Sequence, residues 1–392
     1  MKCKLLFLAF IFYFITVEAQ TLQRIDGSVI NSDSLTGRVQ YLMQKANVSG
    51  VGISVFNNNE LVYSKTFGLA DVQKNIPLSP DAEMYGASLS KMVFAYIVMQ
   101  YVQDNVIDLD RPLVEYLSKP LPDYTFDNKN KGFQDLKDDE RYKKITARMC
   151  LTHTAGFPNW RFFDPGQKLL IKSDPGTRYS YSGEGINLLQ FVLEQITGKN
   201  LETMAQEKVF QPLGMKHTSY IWQNSFDSNI CYGHNIKGEP YGAHKKKVAS
   251  AAGSMTTTLD DFTKFYTAFI NHKNLTEKSF DEMTNTQVLI KSKAQFGPLA
   301  VVDGTDNDNI QLGYGLGVGV YHTSHGRAYF KEGHDDGWGH YSVAFPDKKI
   351  AMIIMTNNDN GESIFRELLE YAIGDTYMPW QWENYIPYDK KK

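Results

Sequence analysis

The sequence predicts an α/β (α+β) fold of two lobes: an antiparallel sheet flanked by helices, built from both chain ends, and an all-helical lobe from the middle of the chain. Three observations lead to this prediction. A β-hairpin pattern lies near the N-terminus, strand patterns fill the last third of the chain, and helical periodicity dominates the region between them. The 392 residues, 42% hydrophobic, are enough for one large domain or two lobes.

The first elements are a helix over 35–47, a hairpin and a longer helix. Strand-forming residues at 50–56 and 61–67 flank the turn-forming triplet Asn57-Asn58-Asn59. From Ser88 to Val102, apolar residues recur every three or four positions, which is typical of a helix. These elements, closed by Asp110-Arg-Pro112, form the N-terminal part of the α/β lobe.

The middle of the chain is helical by the same criterion, with polar segments between the helices. Helices are predicted at 145–153, 182–197, 200–209 and 258–269. Residues 121–144 are rich in Pro, Asp, Asn and Lys and are interpreted as a surface insertion, whereas residues 221–247 are polar and loop-like.

Strand patterns and a terminal helix complete the chain. Strands are predicted at 313–321, 327–330, 341–345 and 350–355, and a helix at 361–372. The α/β lobe is therefore assigned to about 35–112 and 248–375, and the helical lobe to about 113–247.

Residues 1–19 are interpreted as a signal peptide. Lys2 and Lys4 precede an apolar run that ends at Val17, and Ala19 is a small residue suited to cleavage after it. The mature chain would then be residues 20–392, in the periplasm or secreted, without stable membrane insertion. The alternative is an uncleaved membrane anchor, although a run this short spans a bilayer poorly.

Composition excludes several classes of function. The formal net charge of −3 gives no basic field, so no nucleic-acid partner is implied. The sequence has no C-x-x-C or H-E-x-x-H motif, so neither a metal site nor a cofactor is predicted. Cys150 and Cys231 are interpreted as two unpaired thiols, with a single disulfide as the alternative.

The chemistry is carried by Ser88-Leu89-Ser90-Lys91, an S-x-x-K motif at the start of a predicted helix. A helix brings positions i and i+3 to one face, so the Lys91 amine can reach the Ser88 hydroxyl. Serine needs such a base to become a nucleophile, and burial beside a second cation would lower the pKa of Lys91. An α/β-hydrolase is set aside because Gly86-Ala-Ser-Leu-Ser90 does not complete G-x-S-x-G.

Further landmarks follow in a fixed order: Leu151-Thr-His-Thr-Ala-Gly156, Pro175-Gly-Thr-Arg-Tyr-Ser-Tyr-Ser182, Ser250 to Asp260, Lys331-Glu332-Gly333 and Met355-Thr-Asn357. With the S-x-x-K motif, they make the chain resemble the serine β-lactamase and penicillin-binding-protein superfamily, in the branch of class C β-lactamases, D,D-carboxypeptidases and related esterases. The resemblance covers roughly residues 35 to 373 and implies a β-lactamase/transpeptidase-like fold.

The resemblance implies a role for each matching residue. Ser88 is the nucleophile, and Lys91 and Tyr181 share the proton transfers, with the pKa of Tyr181 expected to be lowered by two ammonium groups. Lys331 supplies the second ammonium and orients a substrate carboxylate. The oxyanion hole is formed by the backbone amides of Ser88 and of His334, which follows Gly333.

Two positions depart from the family pattern. Gly183 stands where the Y-x-N motif has an Asn that helps bind the amide side chain of the substrate, and Glu184 is a candidate to reach the same space. Glu332 replaces the Thr of K-T-G, where its carboxylate could pair with Lys331 or repel an anionic substrate. Both changes leave the nucleophile and its bases intact.

The leading hypothesis is an exported serine hydrolase that acts through an acyl-enzyme on a β-lactam, a D-amino-acid peptide or an ester. Gly183 favours a broad esterase or peptidase with weak β-lactamase activity. The alternative is a ligand-binding or sensor module on the same scaffold that acylates slowly or not at all. The partner is then a small-molecule or peptide substrate, and the oligomeric state is left open.

Overall fold

The structure, a computed structural model, describes residues 21–126 and 132–390, and the predicted signal peptide lies outside them. Its centre is a nine-stranded antiparallel sheet. The strands lie side by side in the order β5 (Ile76–Pro77), β4 (Glu60–Asp71), β3 (Gly50–Asn57), β13 (Ile350–Thr356), β12 (Trp338–Phe345), β11 (Gly326–Asp335), β10 (Gly319–Thr323), β9 (Gly313–Tyr314) and β8 (Val288–Leu289). Two short ribbons pair β1 (Thr21–Gln23) with β2 (Val29–Asn31) and β6 (Met84–Tyr85) with β7 (Thr256–Thr257).

The two ends of the chain meet at the centre of the sheet. β3 pairs with β13 along its whole length, from Val51 opposite Thr356 to Asn57 opposite Ile350. Both strands are buried from end to end, as expected for strands covered on both faces. The prediction of an antiparallel sheet built from both chain ends and flanked by helices is confirmed.

Nine α-helical segments are present in the described residues. They are α1 (Ser32–Ala46), α2 (Leu89–Gln103), α3 (Ala147–Leu151), α4 (Gly183–Thr197), α5 (Leu201–Ala205), α6 (Gln211–Leu213), α7 (Leu259–Ile270), α8 (Glu277–Thr284) and α9 (Phe365–Ala372), with a π-helical turn at Gln206–Phe210 joining α5 to α6. Alternation along the strands gives the sheet two apolar faces: α1 and α9 cover one, and α2 and α7 cover the other.

α2 lies between the sheet and the helices of the middle of the chain. It contacts β11, α5 and α8, and every residue from Leu89 to Tyr101 is buried. A helix buried on all sides is typical of the centre of a large domain. The consequence for function is that Lys91, the candidate base, lies inside the protein.

The segment interpreted as a surface insertion is folded where the structure describes it. Short 3-10 turns form at Leu121–Asp123, Gln134–Leu136 and Glu140–Lys144. The side chains of Phe133, Leu136 and Tyr142 are buried in the core. This segment therefore packs on the helical part of the chain.

Two differences from the prediction have local causes. α8 was not predicted; it begins at Thr276, whose hydroxyl accepts from the Ser279 amide at 3.1 Å. The predicted strand at 313–321 is divided into β9 and β10, which pair antiparallel because the chain reverses between them. The Gly315 amide donates to the Val318 carbonyl at 2.8 Å across this turn, and Gly317 adopts φ 83°.

Two further observations concern the cysteines and the length of the helices. Cys150 and Cys231 are both buried free thiols. Among residues 21–126 and 132–390, no helix combines the length and the apolar character needed to cross a bilayer.

Candidate active site

Ser88 is the residue from which α2 begins, and its hydroxyl faces Lys91 one turn later. The Lys91 amine donates to Ser88 Oγ at 2.9 Å. Only 1% of the Lys91 surface is exposed, and the amine also donates to the Ala252 carbonyl. The structure therefore gives the serine a buried amine as its direct neighbour.

The turn before Ser88 is held in an uncommon backbone conformation. Ala87 has φ 44°, in the left-handed region that residues with a Cβ rarely adopt. Ser90 fixes this turn, because its hydroxyl donates to the Ala87 carbonyl at 2.5 Å and accepts from the Met255 amide at 3.1 Å. Strained backbone of this kind is concentrated at functional sites, where the surrounding structure holds it in place.

The electrostatic environment makes Lys91 suitable as a base. Burial lowers its pKa well below the usual value, and the positive charge of Lys331 lowers it further. A lysine with a lowered pKa has a larger neutral fraction near neutral pH, and the neutral amine has a lone pair that can accept the Ser88 proton. The expectation that burial beside a second cation lowers the pKa of Lys91 is confirmed.

Tyr181 stands between the two lysines. Its ring centroid lies 4.9 Å from Lys91 Nζ and 5.1 Å from Lys331 Nζ, and its hydroxyl accepts from Lys331 Nζ at 3.2 Å. The expected lowering of the Tyr181 pKa is wrong, however. Burial raises the pKa of the Tyr181 phenol above its usual value, and the opposing effect of Lys331 is smaller. The raised pKa keeps Tyr181 a protonated phenol, which can donate a proton.

His153 supports Tyr181 from behind. The imidazole packs against the phenol ring with centroids 4.3 Å apart, and its Nδ1 accepts from the Ser182 amide at 3.1 Å. Burial lowers the pKa of His153 well below its usual value, so it remains neutral. His153 is therefore a buried hydrogen-bond acceptor that positions the Tyr181 segment.

Lys331 is fully buried, and its ammonium has three acceptors within the protein. These are Tyr181 Oη at 3.2 Å, the Glu332 carbonyl at 3.0 Å and Glu332 Oε1 at 2.9 Å. Burial acts to lower the pKa of Lys331, but Glu332 and Tyr181 outweigh it and raise the pKa. Because an ammonium has three N–H donors, this arrangement uses all of them. The resemblance implied that Lys331 orients a substrate carboxylate, and the pairing with Glu332 opposes that role.

β11 passes close to the turn that precedes Ser88. A Cβ added to Gly333 would lie 3.0 Å from the Gly86 carbonyl oxygen, so the two backbones approach closely and leave little room for a side chain. His340 on β12 donates from Nε2 to the Tyr85 carbonyl at 2.8 Å, and burial lowers its pKa to about 4, which keeps it neutral. The segments carrying the Ser88 and His334 amides are therefore adjacent, as an oxyanion hole requires.

The His334 side chain is paired with Glu362 and is not a candidate for the oxyanion hole. Its imidazole is more than half exposed and pairs with Glu362 at 2.8 Å, which raises the pKa of His334. Only its backbone amide is a candidate for the site. Within the described residues, no group of three or more His, Cys, Asp or Glu side chains is arranged to hold a metal ion.

The position of the missing Asn is occupied by a tryptophan from another segment. Trp160 lies across Gly183 so closely that a Cβ there would be 2.6 Å from the indole ring. The same ring centroid lies 5.8 Å from Lys91 Nζ. Trp160 was missed at the sequence level; the signal that could have found it is Gly183 itself, since a small residue in a packed site requires another side chain to fill the space.

Glu184 was a candidate to fill the space of the missing Asn, but its side chain does not reach that space. It forms a buried ion pair with Arg161, with Nη2 to Oε2 at 2.7 Å and Nε to Oε1 at 3.0 Å. Oε1 also accepts from the Arg161 amide at 2.9 Å. Glu184 therefore anchors the segment that carries Trp160.

Comparison with known proteins gives a consistent assignment. The model of the family described as Beta-lactamase matches residues 35–373. The D-aminopeptidase of Brucella anthropi is 23% identical over 357 residues, which cover 88% of this chain and 64% of that protein. Protein flp of Staphylococcus aureus strain MW2 is 20% identical over 270 residues, or 63% of this chain and 51% of flp. The chain thus spans less than two thirds of the length of either relative.

Solved structures show the same fold. The penicillin-binding protein homologue from Pyrococcus abyssi superposes with a TM-score of 0.67 at 19% identity, covering 84% of this chain and 74% of that one. The D-alanine carboxypeptidase AmpC from Burkholderia cenocepacia has a TM-score of 0.65 at 17% identity, covering 83% and 93%. At these identities the likeness establishes the fold.

Proposed function

The chain belongs to the Beta-lactamase family, and we propose that it is a serine hydrolase in which Ser88 forms an acyl-enzyme with its substrate. The observation that carries the proposal is the 2.9 Å contact between Ser88 Oγ and the buried Lys91 amine. The substrate is an ester or a D-amino-acid peptide, with β-lactams turned over weakly.

In the acylation step, Ser88 Oγ attacks the substrate carbonyl carbon and Lys91 Nζ takes the hydroxyl proton. The carbonyl oxygen becomes an oxyanion, which the amides of Ser88 and His334 stabilise; each donor of such a pair is typically worth about 3 kcal/mol in the transition state. The tetrahedral intermediate then collapses, and the bond to the leaving group breaks.

The leaving group departs with a proton, which Tyr181 supplies and Lys91 restores. Lys331 stabilises the negative charge that forms on the phenol oxygen, since it already donates to that atom at 3.2 Å. In the deacylation step, water attacks the acyl-enzyme carbonyl and gives a proton to the same base system. The bond between the carbonyl carbon and Ser88 Oγ then breaks, the base system returns that proton to Ser88 Oγ, and the acid is released. Atoms and charge balance over the cycle, and each step uses groups of this chain.

Two observations support the preference against β-lactams. Trp160 covers Gly183, where the family has an amide-binding Asn, and Lys331 is paired with Glu332. A β-lactam or a D-Ala-D-Ala peptide carries a carboxylate that would have to compete with Glu332 for Lys331. D-aminopeptidase, the name of one relative, is compatible with a substrate in which that carboxylate is blocked or remote.

A substrate panel tests the proposal directly. The turnover of four kinds of substrate is measured for wild type and Ser88→Ala: nitrocefin, D-Ala-D-Ala peptides, D-amino-acid amides and p-nitrophenyl esters. Ser118→Ala, which changes an exposed serine, is the control. We expect Ser88-dependent turnover that is higher for esters or amides than for nitrocefin. Nitrocefin turnover comparable to dedicated β-lactamases would contradict the preference, and ligand-stabilised protein without any turnover would favour the binding-module alternative.

Export is a separate proposal that rests on residues 1–19. Expression of the full chain in a bacterium with a periplasm should give a mature protein that begins at Gln20 and is released by osmotic shock. Full-length protein retained in the cytoplasm would contradict this.

A further inference from the structure

Tyr181 forms part of the wall of a cavity beside the candidate active site. The cavity has a volume of about 400 Å³, which lies within the range of small-molecule sites. Phe296, another wall residue, packs edge-on against the Tyr181 ring with centroids 5.4 Å apart. Gln295 also lines the cavity, and its amide donates to Glu332 Oε1, the oxygen that the Lys331 ammonium binds. The cavity therefore adjoins the site on the side of Tyr181 and Lys331.

The wall of this cavity is uncharged. None of the ten residues that line it, all within the described ranges, carries a charged side chain. Lys331 and Glu332 neutralise each other, and the three donors of the Lys331 ammonium already have acceptors within the protein. Arg178, which donates to the carbonyl of the wall residue Ala300, is paired with Asp303 at 2.9 Å. A charged occupant would lose its hydration without gaining a partner, so the cavity favours an uncharged one.

Most of the accessible surface of the cavity is apolar. Phe163, Phe296 and Ala300 contribute to it, and the two phenylalanines are 72% and 42% exposed. Exposed apolar surface gathered at one place is typical of a binding groove. Ser292 Oγ, a polar wall group, already accepts from Trp382 Nε1 at 3.1 Å. The cavity thus offers an occupant mainly apolar contact area.

The proton transfer in acylation determines which part of the substrate lies against this wall. The bond that breaks joins the carbonyl carbon to the leaving atom, and Tyr181 gives its proton to that atom. The group bonded to the leaving atom must therefore extend from the Tyr181 hydroxyl, and Tyr181 is part of the cavity wall. The acyl group is bonded to Ser88 instead, which does not line the cavity.

We propose that this cavity binds the leaving group of the substrate, an inference that rests on the function proposed above. The leaving group is an uncharged alcohol with an apolar body, and the substrate is its ester. When the bond to the carbonyl carbon breaks, the alkoxide oxygen takes the Tyr181 proton, the alcohol departs and the acyl group stays on Ser88. A D-alanine leaving group is disfavoured, because its carboxylate would lie against an uncharged wall.

A series of ethyl, butyl, hexyl and octyl acetates, each below the concentration at which it aggregates, tests this inference in a pH-stat. All four esters form the same acetyl-enzyme and release alcohols of similar acidity. Differences in kcat/KM therefore report on the binding of the alcohol part. We expect kcat/KM of wild type to rise by at most about three- to fourfold for each added methylene until the cavity is filled.

Substitutions in the wall should change this preference. Ala300→Phe should move the optimum to shorter alcohols, and Phe163→Ser should lower the hexyl-to-ethyl ratio of kcat/KM about tenfold. Both side chains are at least partly exposed, so neither change disturbs the core. Leu61→Ser, which removes an exposed side chain on β4, four strands from β11, is the matched control and should keep the wild-type ratio.

A charge at the end of the alcohol should be rejected. The esters 6-acetoxyhexanoate and 5-(trimethylammonio)pentyl acetate match hexyl acetate in length and carry an anion or a cation at the far end. We expect kcat/KM for each to be at least about tenfold below the value for hexyl acetate. A value for either charged ester equal to that for hexyl acetate would contradict the uncharged occupant.

The outcomes separate this inference from the proposed function. A flat alcohol series with Ser88-dependent release of acetate would overturn the leaving-group site and leave the hydrolase intact. A wild-type hexyl-to-ethyl ratio in both Ala300→Phe and Phe163→Ser would also overturn it, because the alcohol would then bind elsewhere. Absence of any Ser88-dependent turnover would instead be a failure of the proposed function.

Discussion

Glu332 lies next to Lys331 on β11, and its carboxylate accepts a hydrogen bond from the Lys331 ammonium at 2.9 Å. This contact sits at the point where the related enzymes have a threonine. The contact affects two properties of the site at once: the charge near the proton-transfer residues and the ability of Lys331 to bind a carboxylate.

Replacing the acidic residue should change the substrate preference. In Glu332→Thr the ammonium of Lys331 has one donor free, so it can bind a substrate carboxylate. We expect the second-order rate constant for acylation by a fluorescent penicillin to rise at least about tenfold, since a hydrogen bond to a charged group is worth about 1.5–3 kcal/mol. Stopped-flow labelling measures this, and an unchanged or lower rate would contradict the assigned effect of Glu332.

The pH profile of ester hydrolysis should report the state of Lys91. Only the neutral amine can accept the Ser88 proton, so kcat/KM should fall as the pH drops through the lowered pKa of Lys91. Glu332 acts to raise that pKa, so Glu332→Gln should move the acid limb to lower pH. Lys91→Met should lower kcat/KM about 10²- to 10⁴-fold. An acid limb that stays in place in Glu332→Gln would show that another group controls it.

The packing of Trp160 on Gly183 predicts a non-additive pair of substitutions. Gly183→Asn restores the family residue but places a side chain where the indole ring lies, so it should destabilise the fold by about 1–3 kcal/mol through overpacking. Trp160→Ala removes the obstruction, and the double variant should recover part of the loss. Urea denaturation of the four proteins gives the coupling energy. Additive losses would mean that the two positions do not compete for one space.

The ion pair between Arg161 and Glu184 should stabilise the fold in addition to holding the segment that carries Trp160 in place. Arg161→Met leaves a buried carboxylate without its partner, which typically costs about 3–5 kcal/mol. Arg366→Met is the matched control, because its pair with Glu370 is exposed and such pairs contribute about 0–1 kcal/mol. Thermal unfolding of both variants measures the difference, and equal losses would show that burial does not determine the strength of the pair.

Much of the fold could be predicted because its signals are local. The Asn57-Asn58-Asn59 turn marked the first hairpin, which the structure places at β3 and β4. Ser182 and Gly198 mark the ends of α4, the first by accepting from the Gly185 amide at 2.9 Å and the second by its left-handed conformation at φ 66°. Each of these signals acts within a few residues, and a single sequence records them.

The chemistry of the site was only partly predictable. The pairing of Ser88 with Lys91 follows from helix geometry, and the order of the landmarks brought Tyr181 and Lys331 into consideration. The sign of the Tyr181 pKa shift could not be obtained in this way, because motifs count neighbouring charges but not burial, and burial has the larger effect. Gly183 indicates only that another side chain fills the space beside it; that this side chain is Trp160 depends on tertiary packing, which a single sequence does not record.

The central claim, that Ser88 is the nucleophile activated by Lys91, is tested most directly by trapping the acyl-enzyme. Wild type, Ser88→Ala and Lys91→Met are mixed with p-nitrophenyl butyrate, quenched in acid within milliseconds and analysed by intact-protein and peptide mass spectrometry. We expect one butyryl group per chain of wild type, located on Ser88, at most a trace in Lys91→Met, and none in Ser88→Ala. A butyryl group on another residue, or equal acylation of wild type and Ser88→Ala, would contradict it.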